Sequence, residues 1–442
     1  MRARMLLLLL TLLPGGAAAQ TFRDALVAAY RGNSDLQGAR AGLRATDEQV
    51  GQARAGWLPT IQLYGSGGQT GQTVSRPIFD SRTNSVSGGI QMQQPIYSGG
   101  RTPAQVAQAE ATVLAGRADL LGTEQSVLLR AATAYQDVLR DRALLQVARD
   151  KENVTRQQYE QIGIRMRAGQ LTQPDVDQAN SRYLAARAET QTQEGQLEAS
   201  IASFLAAVGM TPGELAPAPR PPGLPDTIAT VQQLADTNSP VVIASAFRER
   251  AARAQIGVAR ADMLPSLSLS LNGGRDYGLT IPDQRSNTWG VTLNLTVPLY
   301  QGGLAIGRVR QAQEQAQQSR WDTVSSRRDA IENASRAFAT WNGTSAAARI
   351  SVLQVRIAQA AYDGVQAQAA LGARSTFELL GQLESLYEAR RAQIGLEHDA
   401  AVASYQLLVA IGRFTAEALG LPVDLYDPTV HARTARRRGG LP

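Results

Sequence analysis

The sequence predicts a mainly α-helical chain with a small β part: long coiled-coil helical hairpins and four antiparallel β-strands, arranged as an internal tandem duplication. Three observations predict it. The chain matches itself without a gap over more than a hundred residues at an offset of 203. Two very long proline-free stretches of Ala, Gln, Arg and Leu, all good helix formers, occupy the same place in each copy. Each is preceded by segments that alternate with period two, the mark of a strand with one apolar face.

Taken in order, Arg2 and Arg4 precede an apolar run, Met5 to Leu13, then Pro14-Gly15-Gly16 and Ala17-Ala18-Ala19. This is the pattern of a secretory signal, with cleavage expected after Ala19. The apolar run is too short to span a bilayer. A helical segment follows, to Ala55-Gly56 in the first copy and Ala261 in the second. Pro59 and Pro265 end it, because proline disfavours helix before it and cannot donate a ladder bond.

The strand pairs come next, at 60–97 and 265–300. Ile61 and Leu63 share a face. Leu267, Leu269 and Leu271 alternate with serines and Asn272; Val291, Leu293, Leu295 and Val297 alternate with Thr292, Asn294 and Thr296. Gly- and Asn-rich turns are expected at 65–85 and 272–288. Trp57, Tyr97, Trp289 and Tyr300 are expected at or near strand ends, as interfacial aromatics or as core. The pairs end in matching turns, Pro95-Ile96-Tyr97-Ser98-Gly99-Gly100 and Pro298-Leu299-Tyr300-Gln301-Gly302-Gly303.

Thr102-Pro103 then reads as a helix start, a hydroxyl cap followed by proline in the first turn. After Pro103 no further proline occurs up to Ala168; as helix the 66 residues from Pro103 to Ala168 extend roughly 100 Å. The helix breaks at Gly169-Gln170-Leu171-Thr172-Gln173-Pro174 and returns to about Val208. The second hairpin, 304–412, turns at Gly372-Ala373-Arg374-Ser375, where Ser375 and Glu378 have capping-box spacing. Six prolines make 211–226 an extended connector. The expected organisation is a signal (1–19), a first repeat (20–210), the connector, a second repeat (227–420) and a basic, disordered tail (421–442).

Composition excludes most chemistry. The chain has no cysteine and only two histidines, His398 and His431. Thiolate sites and thiol nucleophiles are therefore absent, neither a two-histidine nor a three-histidine metal site fits comfortably in one copy, and no enzyme activity, cofactor or metal is expected. Gly65-Ser66-Gly67 lacks the third glycine and the following helix of a dinucleotide loop. His398 reads as a solvated helix residue. The net charge of +6 resides in Arg2, Arg4, Arg433, Arg436, Arg437 and Arg438; without those six the chain nets to zero. No basic body exists to follow a nucleic-acid backbone.

Four strands with one apolar face leave two open sheet edges, which lipid does not tolerate. Closure into a barrel needs at least two copies: two give eight strands, three give twelve. The duplicated Pro-Ile/Leu-Tyr-x-Gly-Gly, the Leu-Pro strand starts at 58–59 and 264–265, and the Ala-Gly-Gln-Leu-x-x-x-Asp-Val turn at 168–176 resemble the TolC-like outer-membrane channel proteins of Gram-negative bacteria. The resemblance covers nearly the whole mature chain. It implies a homotrimer in outer-membrane lipid, with a twelve-stranded barrel and a twelve-helix periplasmic tunnel. It further implies a periplasmic adaptor, or membrane fusion protein, and an inner-membrane transporter, ABC or proton-driven, in an efflux or type I secretion system. A periplasmic coiled-coil adaptor and a structural coiled coil without a pore are the competing readings.

Under that resemblance, Asp175 and Glu378 occupy the acidic position after each turn, where family members form rings at the tunnel mouth; an acid in a first helical turn also caps it. The position three residues beyond Glu378, acidic in some members, is Gly381. Arg374 is the cation of its turn, expected to pair with Asp175 of a neighbouring copy and hold the tunnel shut. Gly169, Gln170, Leu171 and Thr172, with Gly372, Ala373, Arg374 and Ser375, are the expected adaptor-docking tips. The two glycines also serve to end their helices.

Overall fold

The computed structural model describes residues 20–75, 78–278 and 284–437; the expected export signal lies outside them. The first half runs through helices α1 (Phe22–Gly32) and α2 (Ser34–Arg54), a 3-10 turn (Ala55–Trp57), strands β1 (Thr60–Ser75) and β2 (Ile78–Ser98), and helices α3 (Arg101–Arg167) and α4 (Gln173–Val208). The second half repeats that order with α5 (Ile228–Asn238), α6 (Pro240–Ala261), β3 (Ser266–Tyr277), β4 (Arg285–Thr296), α7 (Leu304–Ala370) and α8 (Thr376–Ala410). A short helix, α9 (Pro428–Arg437), follows. The chain is mainly helical with four antiparallel strands, as its periodicities predict.

The helical segment expected before each strand pair is two helices. Asn33 ends α1 and starts α2: its side-chain oxygen accepts from the backbone N–H of Asp35 at 2.9 Å and of Leu36 at 3.3 Å, the capping pattern of a short polar side chain. Helix α3 begins at Arg101, two residues earlier than the Thr102 cap predicts. Thr102 lies inside it, buried, with its hydroxyl 3.0 Å from that of Ser98.

Two compact units divide the chain. One gathers the residues up to Gln37, Thr123–Ser239 and Ala330–Leu425. Its core is aromatic: the rings of Phe22 and Tyr405 stack at 5.1 Å, Phe22 meets Tyr135 edge-on at 5.4 Å, and Tyr405 meets Phe414 at 5.7 Å. Tyr135 is fully buried, with its hydroxyl 2.5 Å from the carbonyl of Ala216. Burial pushes its pKa up to about 12. The other unit gathers Gly38–Gly122, Pro240–Asp329 and the residues from Tyr426 on. It holds the sheet and a core of Val50, Ala109 and Val113.

The sheet order is β1-β2-β3-β4, all antiparallel. The pairing Thr60↔Gln93 in the first hairpin corresponds to Ser266↔Thr296 in the second, so the duplication preserves register. The strands are longer than their apolar alternation suggests, and most of the residues expected as turns are strand. Within β2, a Cβ at Gly89 would lie 2.5 Å from the Gly273 carbonyl and 2.8 Å from the Tyr64 hydroxyl. Glycine is needed because a neighbouring backbone and an aromatic side chain occupy that space. Trp289, expected near a strand end, lies inside β4 opposite Gly273.

The basic tail is also different. Residues 428–437 are helical, not disordered. The Asp427 carboxylate accepts the Thr429 N–H at 2.7 Å and starts the helix, and His431 meets Glu48 of α2 at 3.0 Å. Capping and packing against α2 outweigh the repulsion within the arginine cluster. The final arginine, Arg438, lies outside the described residues.

Candidate functional site

The sheet has one apolar and one polar face. Ile61↔Met92, Leu63↔Ile90, Met92↔Leu271, Leu267↔Leu295 and Leu269↔Leu293 are cross-strand partners on the first. The second carries a polar ladder: Gln62 donates to Gln91 at 3.1 Å, Asn294 donates to Ser270 at 3.2 Å, and the hydroxyls of Ser66 and Ser87 are 2.7 Å apart. The apolar face is uncovered, with Leu63 and Trp289 each 85% exposed. Leaving such side chains in water forgoes about 1.5–3 kcal/mol each. Strands β1 and β4 are the edges, each with one neighbour. Such a sheet suits lipid on one side and water on the other, once its edges are paired.

Both strand-to-helix turns depend on paired glycines in the left-handed region: Gly99 (φ 62°) with Gly100 (φ 78°), and Gly302 (φ 60°) with Gly303 (φ 83°). Only glycine adopts these angles without strain. Pro95 sits in β2 next to a register shift between Pro95 and Tyr97, where a missing N–H is tolerated. Tyr97 ends β2, half exposed. Pro298 and Tyr300 lie beyond the end of β4, and Tyr300 is 88% exposed. The two turns differ in their surroundings. A Cβ on Gly99 would meet the Ala261 carbonyl and Leu264 Cβ, both at 2.9 Å; around Gly302 nothing lies within 4 Å.

Asp262, between α6 and β3, joins the starts of both long helices. It accepts from Arg101 of α3, and from Arg308 of α7 at 3.1 Å. The hydrogen bond from Arg101, then that from Arg308, holds its carboxyl below the usual range, against burial. No spacing rule points to this knot, because its three members lie far apart in sequence.

The hairpin turns sit in the first unit and share one geometry. Gly169 (φ 74°) donates to Met166 O at 2.9 Å, and Gln170 to Arg165 O at 3.0 Å. Gly372 (φ 76°) donates to Ala369 O at 3.1 Å, and Ala373 to Gln368 O at 3.0 Å. This double bond is the Schellman motif. Each returning helix then starts with a capping box. Asp175 accepts from the N–H of Thr172 at 2.9 Å, and Glu378 from the N–H of Ser375 at 3.0 Å.

Both acids are held below their usual pKa. For Asp175 the cause is the Thr172 hydroxyl, then its N–H; for Glu378 it is the Ser375 N–H, then Arg374. Arg374 is committed within its own turn, 2.9 Å from Glu378 and 3.0 Å from Gln368. Within this chain it does not meet Asp175. Gln170, Leu171 and Thr172 lie between α3 and α4, and Ala373 and Ser375 between α7 and α8.

Two charged clusters behind the turns escape sequence reading. Lys151 of α3, the sole lysine, is buried between Glu384 of α8 at 2.7 Å and Glu189 of α4 at 3.0 Å, and Glu189 also takes Arg391 at 2.5 Å. Burial works against the ammonium, but the two carboxylates outweigh it and raise its pKa. His398 is not solvated. Its side chain is largely buried, Nε2 2.8 Å from Asp137 of α3 and Nδ1 3.0 Å from Asp399. Burial opposes its charge, yet Asp137 and Asp399 hold its pKa above the usual value. Among the described residues no cluster of acids and histidines has metal-ligand geometry, and no helix is long and apolar enough to cross a membrane.

Comparison with known proteins matches this arrangement. The family described as outer membrane efflux protein matches the chain twice, at residues 25–210 and 231–413, one match per repeat. The outer membrane efflux protein BepC of Brucella suis is 32% identical over 96% of this chain and 93% of its own. The outer membrane protein TolC of Vibrio cholerae is 25% identical over 88% and 89%. The crystal structure of the Campylobacter jejuni CmeC outer membrane channel superposes with a TM-score of 0.79 at 16% identity, over 94% of this chain and 89% of that one. The chain belongs to the outer membrane efflux protein family and is an outer-membrane efflux channel of the TolC type.

Proposed function

We propose that three copies of this chain close head to tail into a twelve-stranded barrel continued by a twelve-helix periplasmic tunnel. This assembly is the exit channel for an inner-membrane transporter, ABC or proton-driven, reached through a periplasmic adaptor. One observation carries the reading. In the chain the second strand of repeat one pairs with the first strand of repeat two, β2 with β3, while β1 and β4 are free. The same junction made between chains, β4 to the next chain's β1, leaves no edge. It is a heterologous contact, which generates a ring when the rotation closes.

The open space around Gly302 fits this. Gly99 packs against the end of α6, and Gly302 would pack against the matching end of α2 in the next copy. Three copies are favoured over two because an eight-stranded barrel is filled by its own side chains, whereas a wider one leaves a lumen. The polar ladder of Gln62, Gln91, Ser270 and Asn294 lines that lumen, and the apolar face meets lipid.

The hairpin turns act at the tunnel mouth. Residues 169–172 and 372–375 of three chains present six similar tips to the adaptor, and Asp175 and Glu378 give the mouth a cation-favouring rim. Arg374, already beside Glu378, swings to Asp175 of the neighbouring copy in the closed state. Efflux and type I secretion make the same demands on such a channel.

Reconstituting the purified chain in a planar bilayer tests the reading. It predicts discrete cation-preferring currents, and photocrosslinkers at Gln170 and Ala373 that trap the adaptor. A water-soluble monomer without current would remove the pore, and capture from helix sides alone would remove tip docking.

A further inference from the structure

The arginines at the C-terminal end carry the chain's excess charge with Arg2 and Arg4, and neither the barrel nor the hairpin turns uses them. Positions 433, 436 and 437 lie on α9, in the same unit as the sheet. Helix α9 runs parallel to α2: the Arg40 guanidinium lies 5.2 Å from the ring centre of Tyr426, His431 meets Glu48 at 3.0 Å, and the Ala435 carbonyl is 3.5 Å from where a Gly51 Cβ would be. The contacts climb both helices together, so the C-terminal end of α9 points the same way as that of α2. Helix α2 leads through the Ala55–Trp57 turn into β1 at Thr60.

At about 100° per residue, positions 433, 436 and 437 cluster on the side opposite His431 and Ala435. Arg433 is exposed, with a 3.3 Å contact to Asp427. From Gly51 to Thr60 the chain rises no more than about 20 Å. The basic side therefore sits at the foot of the strands.

We propose that α9 presents this basic face to the anionic phospholipid headgroups of the membrane leaflet at the foot of the sheet, and so fixes the depth of the channel. The inference rests on the sheet being the membrane-spanning part. Charge complementarity selects the partner: a surface carrying many phosphates attracts a juxtamembrane arginine cluster over a Debye length, and salt weakens the attraction. Docking on α2 uses His431 and Ala435, on the other side of α9 from positions 433, 436 and 437.

The test compares the full-length channel in vesicles of neutral phosphatidylcholine and in vesicles with roughly one-third phosphatidylglycerol. Trypsin removal of the tail is measured relative to trypsin cleavage at Arg374 in the hairpin turn. The relative rate is expected to fall about tenfold with the anionic lipid and to recover at high salt. The triple variant R433Q/R436Q/R437Q should lose any rise in melting temperature that phosphatidylglycerol gives the wild type, with unchanged conductance. Equal relative rates in both lipids overturn the proposal, as does protection that persists in neutral lipid, which would make α2 or another protein the partner. Conductance in the same vesicles separates this from failure of the channel reading: a conducting pore with an unprotected tail refutes the tail proposal alone.

Discussion

Lys151 Nζ lies 2.7 Å from Glu384 Oε1, a contact between residues 233 positions apart that ties the second hairpin to the first. The lysine is buried, so removing its charge leaves Glu189 and Glu384 facing each other across a partly dry space. Loss of one partner of a buried pair is worth about 3–5 kcal/mol; the exposure of Glu384 argues for about 1–3 here. Lys151→Met should lower the melting temperature by several degrees and increase proteolysis of α8, while Lys151→Arg should restore much of the loss. An unchanged melt would show that the triad holds nothing.

His398 makes the contact between α3 and α8 depend on pH. Its folded pKa is raised above its unfolded value of 6.5. Its contribution is then fully present below about pH 6.5 and lost as pH rises through the folded pKa. The difference in melting temperature between wild type and His398→Gln should be large near pH 5.5 and small near pH 9. A difference independent of pH would contradict a protonated bridge to Asp137.

The turn acids have the opposite sign. Asp175 and Glu378 are depressed, so the stability they give their caps is present above the unfolded carboxylate range and lost as pH falls through their folded values. Asp175→Asn should speed hydrogen exchange of the first-turn amides of α4 at neutral pH and leave the middle of α4 unaffected. Unaltered exchange in that turn would mean the capping box does not hold it.

Arg374 links a cap to the proposed gate. Arg374→Ser frees Glu378 from its partner at 2.9 Å. The expected result is a higher single-channel conductance and a stronger cation preference. Conductance equal to wild type would leave Arg374 a local partner of Glu378 with no part in closure.

The duplication, the strand pairs and the hairpins are legible because each is a local or self-repeating pattern. Turn glycines mark helix ends wherever φ is positive, and Gly169 and Gly372 are found that way. The length of the strands is hidden because 65–85 and 272–288 are rich in Gly and Asn and read as turns; Gly274, in β3, shows what the sequence omits, since a Cβ there would lie 3.1 Å from the Tyr64 hydroxyl and 3.3 Å from the Gly88 carbonyl. The intrachain partner of Arg374 is equally hidden: the helix places Glu378 one turn away, while opposite charge on aligned turns points across copies to Asp175. Asp262 with Arg101 and Arg308, and Lys151 with its two glutamates, are assembled by packing across the repeats. Helix α9 looked disordered because its composition is basic, and its cap Asp427 and its dock on Glu48 lie outside that composition.

The central claim is that β4 of one chain pairs with β1 of the next. Inside the chain Met92 faces Leu271 across the β2–β3 junction. The repeat offsets carry that pair onto Leu295 and Gly65 of adjacent copies. The chain has no cysteine, so a Leu295→Cys/Gly65→Cys double variant introduces the only thiols. Mild oxidation of the membrane-embedded variant should give a covalent closed trimer on a non-reducing gel, with each single variant giving at most dimers. Monomer alone, or a ladder of open oligomers without a trimer limit, would contradict head-to-tail closure.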